Sequence, residues 1–185
     1  MSSVKKICIC AFCTALCCVL PMAFHALALG PAFSPMHLPV LLCGLICGWP
    51  YGAFCGVAGP VLSSCISGMP AAAQLIYMVP ELCAYGLCAG LLMRYIRTGR
   101  LTPDLYLSLI SAMVLGRVAG GAARALFYLS TAESYSIALW AGAYFVQTLP
   151  GAVLQIAVIP PLVLILTRTG LIPARYPKGE AALAR

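Results

Sequence analysis

Six polar side chains stand in otherwise apolar surroundings: His37, Tyr77, Glu81, Arg117, Arg124 and Gln147. They supply an imidazole, a phenol, a carboxylate, two guanidiniums and an amide. An ionisable group among apolar residues is costly to bury and marks a functional position when partners or water sustain it. The residue types suit binding. A guanidinium pairs bidentately with carboxylate or phosphate, and a carboxylate neutralises an arginine or accepts from an amine or hydroxyl. Glu81 and His37 could also serve as acid and base in a small intramembrane enzyme.

The elements that must position these groups are transmembrane helices. Hydrophobic residues make up 63% of the 185 and charged residues 8%, with mean hydropathy +1.01. A soluble domain of this length needs far more polar surface. Apolar runs separated by turn residues predict a single all-α domain, a bundle of six transmembrane helices near 5–25, 36–49, 52–67, 72–95, 104–129 and 137–167. A tail, 168–185, follows. Trp49 to Gly52 predicts a tight turn, and Thr102 and Pro103 precede the fifth helix. The second and third segments are short enough to be one re-entrant pair.

Basic residues orient the bundle. Nine of the eleven form three clusters: Lys5 and Lys6; Arg94, Arg97 and Arg100; Arg168, Arg175, Lys178 and Arg185. With six crossings all nine share one side, and the segments 26–35, 68–71 and 130–136 carry none. The positive-inside rule then puts both termini in the cytoplasm. The net charge of +7 reports topology and lipid contact rather than nucleic-acid binding. The two lysines and following apolar run also resemble a signal peptide, but more membrane segments follow, so a retained first helix is expected.

Rise per residue sets depth. Glu81, Arg117 and Gln147 each fall about 10–15 Å below the outer rim, on three helices. Arg124 lies two turns above Arg117, and His37 opens the second helix at the same rim. Tyr77 and Tyr85 flank Glu81 by one turn each. The expected result is an outward-facing small-molecule site, apolar with a few placed polar groups. A structural Glu81–Arg117 ion pair is the simpler alternative. Gln155 lies deeper and fits a helix–helix hydrogen bond. The glycines around Gly116 and Gly120 predict close helix packing.

Eleven cysteines lie along the first four helices. They read as small apolar packing residues rather than metal ligands, and neither a metal nor another cofactor is expected. No phosphate-binding loop or hydrolase motif occurs, so any energy source lies in another chain.

Several stretches together resemble the substrate-binding (S) component of energy-coupling factor (ECF) vitamin transporters, a type of ABC transporter. They are Ala11 and Ala15 in an AxxxA spacing, Leu29 to Gly44, Gly48 to Gly52, and Gly59 to Pro70. Phe12 and Cys13 lie inside that spacing. The resemblance covers nearly the whole chain. It implies a multi-pass protein of a bacterial plasma membrane that captures a vitamin or related precursor at the outer face. It also implies partners, a membrane coupling subunit and two cytosolic ATPase subunits, with Ala11 and Ala15 facing the coupling subunit. Release by toppling in the membrane is implied too. Such a subunit is not an enzyme. Pantothenate-like and folate-like compounds suit the arginines; neutral vitamins are compatible. The competing readings are the intramembrane enzyme and a ligand-free membrane scaffold.

Overall fold

The computed structural model describes residues 1–26, 35–131, 148–173 and 175–176. Every element among them is a helix: α1 (Ser3–Ala26), α2 (His37–Cys47), α3 (Trp49–Ser67), α4 (Ala72–Tyr95), α5 (Leu101–Thr131) and α6 (Leu149–Arg168). Four of them, α1, α4, α5 and α6, are long and apolar enough to cross a membrane. The 11 residues of α2 reach only about 16 Å, half the usual hydrocarbon thickness.

The short helix sits at the centre. α2 packs against each of the other five helices, and eight of its residues are buried. A helix apolar all round has no solvent face to present, so burial on every side follows from its sequence. α4 lies against α3 and α5, while α1 covers α2 and α3. The closest approach joins α2, α3 and α4 backbone to backbone. A methyl group on Gly44 or Gly52 would strike the Gly86 carbonyl, so only glycine permits this spacing.

Two expected boundaries change. The turn predicted at Trp49 to Gly52 is a single residue, Gly48, with φ 95°. Trp49 and Pro50 already belong to α3. Glycine adopts the left-handed region at little cost, and proline in the first helical turn forfeits no hydrogen bond. The fifth helix likewise starts at Leu101 and includes Thr102 and Pro103. The described part of the sixth helix begins at Leu149, behind Thr148; the expected start near 137 lies outside the described residues.

The chain after α6 folds back onto the α4–α5 connection. Asp104, fully buried, accepts from the Thr98 amide at 2.8 Å, the Thr98 hydroxyl at 2.6 Å and the Tyr176 hydroxyl at 2.7 Å. Arg175 approaches the same carboxylate at 3.4 Å and donates to the Ile96 carbonyl at 2.7 Å. Lys6, Arg94 and Arg175 line two adjoining recesses, so all three basic clusters contribute to one end of the bundle.

Candidate ligand-binding site

α4 and α5 pair antiparallel with a four-residue register. Tyr77 meets Arg124, whose guanidinium carbon lies 4.6 Å from the ring centroid. One turn on, Glu81 occupies the space beside Gly120. A methyl there would stand 2.6 Å from the carboxyl carbon. Another turn on, the Tyr85 ring covers Gly116, at 2.7 Å from the same imagined methyl. Spacing of i, i+4 puts these residues on one face of each helix. The Gly116–Gly120 motif therefore seats two large side chains of α4.

α2 closes the third side. His37 Nε2 lies 3.4 Å from Glu81 Oε1. Its ring meets Tyr85 edge-on, with centroids 4.8 Å apart and planes at 85°. The Arg117 guanidinium is within hydrogen-bonding reach of the Tyr85 hydroxyl. Phe127 extends the aromatic wall beside Tyr77, centroids 6.2 Å apart. Glu81 is buried and Arg117 and Arg124 half-buried.

Five of the six residues singled out from the sequence thus come from three helices into two linked groups. His37, Glu81 and Arg117 gather around Tyr85, while Arg124 stacks on Tyr77 nearer the ends of α4 and α5. Gln147 lies outside the described residues. Ala11 and Ala15 are exposed on α1, beside Phe12, on a face that no other described helix covers. The part of Tyr85 as common partner of His37 and Arg117 escaped the sequence reading, as did the glycine seats. The matching i, i+4 spacing of Glu81–Tyr85 and Gly116–Gly120 is the sequence trace of these seats, while the register that aligns the two pairs comes from the packing of α4 on α5.

Six of the eleven cysteines are gathered in one layer. Cys10, Cys13, Cys17, Cys43, Cys47 and Cys55 are buried between α1, α2 and α3. Cys43 lies beside Cys13, Cys47 and Cys55, and Cys17 lies beside Cys55. Cys10 and Cys13 form a Cys-x-x-Cys pair, contrary to the expectation of none, and both feed this layer. Among the described residues no group of three or more His, Cys, Asp or Glu side chains is arranged to hold a metal ion. Cys10 and Cys17 donate weakly to the carbonyls of Tyr51 and Met36 at 3.6 and 3.8 Å, as packing thiols do.

Fold and composition define an all-helical, multi-pass membrane protein. A family model described as ECF transporter, substrate-specific component, matches residues 5–163, and the chain belongs to that family. Members are transport subunits that bind a substrate and associate with a coupling subunit and ATPases in a membrane complex. No curated protein and no solved structure matches the sequence.

Proposed function

We propose that this chain captures a vitamin or related small precursor between α2, α4 and α5 and delivers it inward with a coupling subunit and two ATPases. An arrangement of six crossings with both termini cytoplasmic would turn the His37 end of α2 outward. The basic clusters at the opposite end support this orientation, since lysine and arginine are retained on the cytoplasmic side.

One observation carries the binding reading: His37, Glu81, Tyr85 and Arg117 converge from three helices within a family whose members bind small substrates. Glu81 Oε1 lies within hydrogen-bonding reach of His37 Nε2, and this contact orients both. Arg117 and Arg124 offer guanidiniums to a carboxylate or phosphate, and Tyr77, Tyr85 and Phe127 provide aromatic walls. Gln147 completes the proposed set. Ala11 and Ala15 form the face toward the coupling subunit, a role supported by their exposure and by small side chains that permit close helix approach.

Thermal unfolding of the purified protein against a panel of vitamins and precursors tests this. One compound should raise the melting temperature without being converted, and Arg117→Ala should weaken it at least tenfold. A panel without any shift would overturn the binding role. For the coupling face, Ala11→Trp should abolish uptake while ligand binding persists; joint loss of both would remove that assignment.

A further inference from the structure

At the end of the bundle opposite His37, two recesses of about 220 and 380 Å³ adjoin one another. They share Lys6, Leu45, Ile46 and Met93. Arg94, Trp49 and Tyr51 wall the larger recess, and Arg175 walls the smaller. Among the described residues no acidic side chain lines either one. Among the described residues, the carboxylate of Asp104 is buried, meets Arg175 and takes four polar approaches there. Lys6 lies over the Tyr51 ring, 5.8 Å from its centroid, and Arg94 is exposed.

The recess combines a cationic rim with an apolar floor. Trp49 is exposed at its edge, where indole suits the boundary between hydrocarbon and headgroups. Pro50 begins a stripe on α3 that continues through Phe54, Val57 and Val61, all exposed. These positions share one helix face and run from the recess along the bundle. A soluble phosphate would use the rim alone. A phospholipid would use both parts.

We propose that this recess binds the phosphate headgroup of an anionic phospholipid between Lys6 and Arg94, with an acyl chain along Phe54, Val57 and Val61. Basic pockets between membrane helices attract anionic headgroups, each lysine or arginine adding severalfold to affinity. The site is independent of the vitamin-binding reading: it lies at the other end of α2 and is read by lipid rather than by vitamin.

Native mass spectrometry of the full chain in mixed micelles, with equimolar phosphatidylglycerol and phosphatidylcholine, tests it. The protein should retain phosphatidylglycerol preferentially by roughly tenfold or more. K6Q/R94Q should bring the two lipids near parity. R97Q/R100Q removes equal charge outside the recess and should leave the preference intact. If the double variant does not survive purification, Arg94→Gln against Arg97→Gln carries the same comparison at exposed positions. Equal losses in the two variants, or parity in the unaltered protein, would overturn the site. Displacement of the retained lipid by excess glycerol 3-phosphate would mark a soluble phosphate site and overturn the lipid assignment.

Discussion

α2 serves two seams of opposite character. Its first residue, His37, joins the charged seam with Glu81, Tyr85 and Arg117. Two turns on, Cys43 and Cys47 join a seam of thiols against α1 and α3. The charged seam requires directional partners, since a lone ion in apolar surroundings loses several kcal/mol of solvation. The thiol seam is small and weakly polar and packs without strict geometry. Loss of one member should therefore matter far more in the first seam than in the second.

Glu81→Leu should give the largest effect, about 3 to 5 kcal/mol of stability, because it removes the buried carboxylate that His37 meets and leaves polar groups of α2 and α5 in apolar surroundings without it. Thermal unfolding in detergent reads it. If Glu81 and Arg117 form an ion pair, adding Arg117→Leu should recover part of the loss, since an apolar replacement of both members of a pair is far less costly than removing one. Without recovery, Glu81 and Arg117 would not be coupled.

Gly120→Val should cost about 1 to 3 kcal/mol through overpacking and should lower ligand affinity by displacing the Glu81 carboxylate. An unchanged affinity would separate the glycine seat from the site. Cys43→Ser and Cys43→Ala sharpen the thiol side. Serine buries a hydroxyl at a cost of about 1 to 3 kcal/mol, while alanine leaves a small cavity worth about 1 kcal/mol. A serine variant more stable than the alanine variant would show that the thiols act as hydrogen-bonding groups. Tyr77→Leu should give the smallest change, about 0.5 to 1 kcal/mol from the lost cation–π stacking of Arg124. It is read most cleanly against Arg124→Leu in a double-mutant cycle.

The long apolar helices were legible because composition and turn residues report directly on membrane crossing. The Gly48 break was misplaced because Trp49-Pro50-Tyr51-Gly52 carries turn chemistry, and proline favours a turn and a first helical turn alike. Glu81 and Arg117 stood out as charges among apolar residues. Their partners were less visible. Whether a glycine pair faces another backbone, as Gly52 faces Gly86, or holds a side chain, as Gly120 holds Glu81, depends on the register between helices. A single sequence does not state that register. The gathering of six cysteines was hidden for the same reason, since they come from three separate helices.

The brevity of α2 bears on how the protein is assembled. About 16 Å of helix cannot span the hydrocarbon by itself, and Gly48 joins it directly to α3. The pair should enter the bilayer together as a helical hairpin whose α2 arm waits for neighbours. Those neighbours include α5 and α6, which are synthesised later. Maturation of the bundle should therefore finish only after α6 has been inserted, and premature chain termination before Leu149 should leave one side of α2 without its helix neighbour.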